Sequence, residues 1–312
     1  MQNTNLTFKD RLKRDYRIKM NAAKKHRVHY LFMLPFTIVF ILFTVLPVLG
    51  SIILGFTDFN VLETPNFVGL NNYYRLFLND SVFTIALKNT LIFACVTGPL
   101  GYMLSFMFAW LLNELRRGLR VFFTIVFYAP SISGGIYVVW QYIFSGDAQG
   151  LANSFLMNFG ITNQPIQFFQ NESWMMPLCI VIILWQSLGT SFLVFIAGFQ
   201  GLDRQYYEAA AIDGIRNRWQ ELWYITLPLL KSQLLLNAVL SITAAFSVGD
   251  VLTILCGFPS KNYAVHTIIN HVTDYGTTRY EMGYACAIST ILFLMMIVCN
   301  SLIKKAIKGI GK

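Results

Sequence analysis

The chain has 312 residues, of which 55% are hydrophobic and only 12% charged, with a net charge of +9. Soluble domains carry about 25% charged residues, so this composition excludes an ordinary water-soluble globular protein and indicates an integral membrane protein. The excess positive charge does not indicate nucleic acid. Nine of the 24 Lys and Arg precede Tyr30, and basic residues beside an apolar run mark the cytoplasmic side and meet anionic lipid.

Residues 1–29 form a basic tail expected along the inner membrane surface, and 30–312 read as a single transmembrane domain. The first apolar run begins at residue 30 and is too long for a cleavable signal peptide. A spanning helix takes about 20 apolar residues, and spans are predicted over about 30–56, 83–112, 121–144, 174–199, 229–250 and 282–303. Pro35 and Pro47 lie in the first, which is tolerated where neighbouring protein satisfies the freed backbone groups. Residues 71–78 read as a short interfacial helix with aromatic residues at the water boundary. The turn 113–120 carries three Arg and is expected inside. The third span holds Pro130, Ser131, Ser133, Gly134 and Gly135, a stretch expected to kink. Residues 145–172 have no Lys or Arg and are expected outside. So is 251–280, with part of it re-entrant or interfacial. On this assignment twenty of the 24 Lys and Arg lie inside, which supports six spans with both ends in the cytoplasm.

Between the fourth and fifth spans, residues 206–230 read YYEAAAIDGIRNRWQELWYITLPLL. Glu208-Ala209-Ala210-Ala211 is a strong helix former, and Gly214 permits a backbone angle that suits a sharp turn. A second short helix is expected over 216–224, with Trp219, Leu222 and Trp223 on one side. Leu227-Pro228 then leads back into apolar sequence. This pattern of Glu-Ala-Ala, Gly214 and Ile225-Thr226-Leu227-Pro228 resembles the EAA loop in permease subunits of bacterial binding-protein-dependent ABC importers. Residues 67–73, FVGLNNY, are similar to the FVGLxNY segment after the first span of the sugar permeases. Ten residues separate Gly214 from Ile225, where the family has nine, so the second helix is expected to be offset or bulged.

The resemblance implies an all-α membrane protein of about six transmembrane helices, with a cytoplasmic EAA coupling-helix loop between spans 4 and 5. It implies a maltose-type (type I) permease subunit of the bacterial inner membrane, forming the path for a carbohydrate delivered by an external solute-binding protein. The implied partners are a second, different permease and two cytoplasmic ATPase subunits. Those subunits would bind ATP and Mg, leaving no cofactor in this chain. Tyr207, Glu208, Ala209, Ala210, Asp213, Gly214, Leu227 and Pro228 would form the ATPase-coupling loop. From the residues themselves, a small alanine face allows close approach of another protein, and Tyr206 and Tyr207 suit anchoring in a groove. Glu208 also fits a helix-stabilising surface charge.

No catalysis is expected. The chain has no GxxxxGK[ST] phosphate loop, and no Ser-His-Asp arrangement can be argued. His26 and His29 in the tail and His266 and His271 in the outer segment read as surface residues, not metal ligands. The cysteines at 95, 179, 256, 286 and 299 form no CxxC, so neither a disulfide framework nor a metal site is expected.

By resemblance, the solute path lies on the spans flanking the loop. Trp185, Gln186 and Thr190 offer a ring and hydrogen-bonding groups on the fourth. Ser241 shares one face of the fifth with Gln233, Asn237, Ala244 and Val248. Polar groups in a bilayer are costly and face protein or water, though Ser, Thr and Gly also bind helices together. Asp250, a carboxylate embedded in apolar sequence, reads either as a solute contact or as a gate or helix cap near the outer boundary. A gradient-driven secondary transporter is the alternative, but needs mid-span charges that this chain lacks. A membrane-bound enzyme would need a reactive constellation. An importer for a non-sugar solute would carry a similar loop.

Overall fold

The computed structural model describes residues 27–133 and 135–308, so most of the basic tail, Gly134 and the last four residues lie outside the described residues. Residues 1–53 and 54–312 form two compact units. The first contributes helix α1 (Val28–Leu54), whose 27 residues extend about 40 Å at 1.5 Å each, enough to cross a hydrocarbon core of about 30 Å. Leu31, Phe32, Phe36 and Phe43 are exposed along it, as a lipid-facing surface requires. Its hydrogen-bond ladder widens into a π turn over Ile41–Val45, just before Leu46-Pro47. Proline has no N–H to donate and its ring clashes with the carbonyl four residues back. A widened turn at that point relieves both problems.

The second unit is built of helices and their connecting loops, and among its described residues the only β pairing is an isolated bridge between Thr57 and Phe67. Helix α2 (Asn71–Tyr74, continuing as a π turn over Arg75–Asn79) matches the expected interfacial helix. Helix α3 (Ser81–Asn113) follows, capped by the Asp80 carboxylate, which accepts from the Phe83 N–H at 2.9 Å. At 33 residues it extends about 50 Å. The rest of the unit is arranged around it. Near its start, Phe83 and Ala86 pack with Ile242, Phe246, Ile268 and Ile288. Further along, Phe93 packs with Met175, Ile182 and Leu252. Near its end, Ala109 and Leu112 pack with Phe192, Phe195 and Leu230.

The third predicted span is two helices, α4 (Arg117–Ile132) and α5 (Ile136–Ile143), separated at the Ser/Gly stretch expected to kink. After α6 (Leu151–Asn158) comes α7 (Glu172–Gln200), interrupted at Ser187, Leu188 and Gly189. Two shorter helices follow, α8 (Arg204–Ile212) and α9 (Arg218–Leu229). Helix α10 (Lys231–Phe246) leaves α9 at 79°. Among the described residues, four helices are long and apolar enough to cross a membrane alone, and up to six crossings result if each bent pair is one span.

The fifth span differs from its predicted 229–250. Helix α10 has 16 residues, about 24 Å, too short for the hydrocarbon core. The chain breaks at Ser247, Val248 and Gly249 and resumes as α11 (Asp250–Cys256). The break persists because the following segment satisfies it. Thr267 donates its hydroxyl to the Val248 carbonyl at 2.8 Å, and the Asn270 amide reaches the Gly249 carbonyl and Thr253.

That following segment, ending in α12 (Ile268–Thr273, continuing as Asp274–Thr278), is docked deep in the end of the bundle away from the Arg-rich turn. Asn89 of α3 donates to the carbonyls of Tyr263 and His266, and Thr90 accepts from the Ile268 N–H. For His266 and His271 the expectation of surface residues is therefore overturned, because they are only 2% and 1% exposed, whereas His29 is exposed. His271 Nε2 lies 2.9 Å from the Asp80 carboxylate and its Nδ1 lies 3.3 Å from His266 Nε2. Tyr284, on the last helix α13 (Met282–Lys308), donates to the same carboxylate at 2.8 Å. Sequence patterning missed this because Asp80 and Tyr284 come from stretches of chain far from the two histidines.

Candidate functional sites: a hydroxyl-lined pocket and a helix–turn–helix

A cavity of about 540 Å³ opens where the breaks in α7 and in α10–α11 face one another. Ser187, Gly189, Thr190 and Ser191 line it from the first break, and Ser247, Val248 and Val251 from the second. Irregular backbone at membrane depth is tolerated where it lines a cavity or is buried in protein. Helix α3 supplies the third wall through Thr97, Gly101 and Ser105, spaced four apart and so on one face. Gly101 is required there, since a Cβ would stand 2.9 Å from the Ser187 Cβ. Ser105 donates to the Ser187 carbonyl at 2.9 Å, and Ser241 to the Gly98 carbonyl at 2.9 Å.

Of the expected path residues, Gln186, Thr190 and Ser241 line the cavity, with Ala244 and Val248. Ser241 both lines it and joins α10 to α3, so the two readings of that hydroxyl coexist. Trp185 is not part of the lining. Its ring packs edge-on against Trp140 at 5.2 Å. Asp250 is also outside the lining, exposed as the first residue of α11. Tyr137 of α5 is close enough to feel both Gln186 and Asp250. Gln233 packs against Gly198 and Asn237 is fully buried, so neither reaches the cavity. Sequence reasoning missed the α3 wall, although Thr97, Gly101 and Ser105 carried a readable four-residue step.

Below the cavity lies the helix–turn–helix. Asp203 caps α8 by accepting from the Gln205 N–H at 3.0 Å. The helix ends with Gly214 at φ +93°, its N–H on the Ala211 carbonyl and the Ile215 N–H on that of Ala210. This paired C-terminal closure needs a left-handed residue at 214. Asn217 caps α9 through the Trp219 N–H. Helix α9 then contains a π turn over Leu222–Thr226, directly before Leu227-Pro228. A π turn takes one residue more than an α turn, so the tenth residue after Gly214 is accommodated as a bulge, and the motif Leu-Pro again follows the widening. Tyr207 reaches back from α8 to hydrogen-bond Thr226 at 2.9 Å.

The exposed side of this unit carries Tyr206, Ala209, Ala211, Trp223 and Tyr224, with Ile212 87% exposed. Ala210 is buried and Asp213 forms the C-cap of α8. Glu208 pairs with Arg204 one turn back at 3.5 Å, both side chains largely exposed. The unit is tied to the α3–α4 turn, because Arg218 lies 2.8 Å from Glu114 and the rings of Trp110 and Trp219 are 5.3 Å apart.

Residues 98–308 match the family model described as binding-protein-dependent transport system inner membrane component. The chain belongs to this family. Among its relatives, the probable ABC transporter permease protein YesP of Bacillus subtilis is 30% identical over 282 residues, 88% of this chain and 89% of that protein. The arabinooligosaccharides transport system permease protein AraP of Bacillus subtilis is 30% identical over 287 residues, 91% and 90% of the two chains. A solved bacterial ABC transporter involved in import of the acidic polysaccharide alginate shares the fold. It has a TM-score of 0.76 at 23% identity, over 94% of this chain and 99% of that one. The protein is thus a multi-pass inner-membrane transport component, all-α, as the loop and the FVGLNNY segment implied.

Proposed function

We propose that this permease is one of two different transmembrane subunits of an ATP-driven importer, and that it forms half of the path for a carbohydrate handed over by an external binding protein. The observation that carries the reading is the pocket itself: two spans broken where they face one hydroxyl-lined cavity. Discontinuous helices of this kind build solute sites near the bilayer midplane. The name of the relative AraP, an arabinooligosaccharides transport system permease protein, supports a carbohydrate. On this reading Gln186, Thr190 and Ser241 meet the solute, and Asp250 acts as a favourable charge at the start of α11.

The helix–turn–helix is the coupling element. Tyr207, Glu208, Ala209, Ala210, Asp213 and Gly214 shape the surface that docks on one of two cytoplasmic ATPase subunits, and Leu227-Pro228 transmits its motion into α10. ATP and Mg belong to those ATPases and the chemistry is theirs. Both termini lie in the cytoplasm, supported by the Lys and Arg distribution and by the contact between the two Arg-bearing turns at Glu114 and Arg218.

The test is a mild-detergent pull-down of the tagged chain from its native membrane, followed by reconstitution. A P-loop ATPase and a second six-span protein should co-purify in stoichiometric amounts. Glu208→Ala and Gly214→Val should leave the chain in the membrane but break the link between ATP hydrolysis and uptake. A chain that comes out alone and moves a solute without ATP would replace this reading with secondary transport.

A further inference from the structure

Six of the nine hydroxyls that line the cavity are not free to present either end to a solute. Thr97 donates to the Phe93 carbonyl, Ser131 to Tyr128, Ser187 to Leu184 and Thr243 to Val239. Ser105 and Ser241 donate across to the Ser187 and Gly98 carbonyls. A carbonyl cannot donate, so each of these hydroxyls has spent its proton on the backbone. Each turns only lone pairs toward the cavity. Donors come from elsewhere: the hydroxyls of Thr190, Ser191 and Ser247, the Gln186 amide, and the first turn of the helix that restarts at Thr190, which has no side-chain cap. Among the described residues the lining contains no Lys, Arg, His, Asp or Glu. The nearby charge is the carboxylate of Asp250, acting on Tyr137 beside Gln186.

From this wall we infer that the solute taken by this chain is an uncharged, hydroxyl-bearing oligosaccharide and not a uronate. The inference rests on the carbohydrate reading above. A sugar hydroxyl donates and accepts, so it answers both the acceptor-rich side and the donors at Thr190. A carboxylate only accepts. Against most of this wall its oxygens would meet other lone pairs, with no cation on this subunit's side to offset its desolvation. The chain therefore shares a fold with an importer of an acidic polysaccharide while offering a pocket suited to a neutral one.

The experiment uses the complete complex with its binding protein in proteoliposomes, supplied separately with neutral trisaccharides (arabinose, galactose and glucose series) and with the galacturonate trimer. ATP-dependent uptake of a neutral trisaccharide should exceed that of the uronate by at least about tenfold, the factor that an unpaired buried charge readily exceeds. Thr190→Arg should raise the uronate-to-neutral ratio, whereas Thr190→Gln should not. The same binding protein serves wild type and variants, so a change in the ratio reports the pocket and does not depend on how much variant is made. Equal uptake of uronate and neutral sugar by the wild type, or an unchanged ratio in Thr190→Arg, overturns the inference while leaving a carbohydrate importer. Uptake of an amino acid or another non-carbohydrate, with no sugar moved, overturns the carbohydrate reading as well.

Discussion

At the scale of single residues, the buried pair His266 and His271 sets how the protein responds to acid. With both rings neutral, His266 Nε2–H donates to His271 Nδ1 and His271 Nε2–H donates to Asp80, a one-way chain that ends on a carboxylate. Burial pushes His266 down to about 4 and lowers His271 too, with Arg279 adding to it, and the carboxylates of Asp80 and Asp274 do not reverse it. Burial raises the Asp80 carboxyl, but the Phe83 N–H, Tyr284 hydroxyl and His271 outweigh it and hold the group low. An unfolded histidine takes a proton near 6.5. Between that pH and about 4 the unfolded chain therefore binds more protons than the folded one, and stability falls as pH falls. The loss approaches about 3 kcal/mol from His266 alone, at roughly 1.4 kcal/mol per pKa unit. Thermal unfolding of the purified protein at pH 7 and pH 4.5 should show this slope, and His266→Gln, which does not titrate, should flatten it. An unaltered slope would assign the acid sensitivity to other groups.

At the scale of elements, the contact between α7 and α11 can be probed by chemistry that the chain already carries. The Sγ atoms of Cys179 and Cys256 lie 3.6 Å apart as free thiols. A mild oxidant such as copper-phenanthroline should join them, removing two thiols from a maleimide count, and Cys179→Ser should abolish the loss. Because Ile183 of α7 and Val251 of α11 both line the cavity, the link should slow transport reversibly. No cross-link in the wild type would contradict this packing. Neither partner was legible in the sequence, since no local spacing connects residues 77 positions apart. The helices themselves were legible where periodicity and length agreed: 83–112 became Ser81–Asn113, and 174–199 became Glu172–Gln200. The helix breaks were less so. Proline and glycine announced the one after Ile132, but the break after Phe246 depends on Thr267 and Asn270 docking from a later segment. The path residues split on the same ground. Gln186, Thr190 and Ser241 could be placed at the cavity by face and polarity, whereas Trp185 lies outside its lining, packed against Trp140.

At the scale of the whole molecule, the helix–turn–helix, which the chain enters from α7, is joined onward to the rest by two routes. One is the chain itself, from α9 through the 79° bend into α10. The other is the contact of Arg218 and Trp219 with Glu114 and Trp110 at the end of α3. The Arg218–Glu114 pair is largely exposed, so its loss should cost under about 1 kcal/mol of stability. The double variant Arg218→Ala, Trp219→Ala should therefore assemble and hydrolyse ATP, yet import less solute per ATP consumed, measured as that ratio in proteoliposomes. An unchanged ratio would show that the first route suffices. The two routes differ in continuity. Helix α3 runs without a break for 33 residues, with Pro99 inside it, and carries the wall residues Ser105, Gly101 and Thr97. The other route passes a bend at Leu230 and ends at the gap after Phe246, points where a helix yields before it pushes. A single stroke at α8 would then arrive at opposite walls of the cavity by unequal amounts, sliding one hydroxyl-bearing face past the other and peeling a solute from its contacts a few at a time.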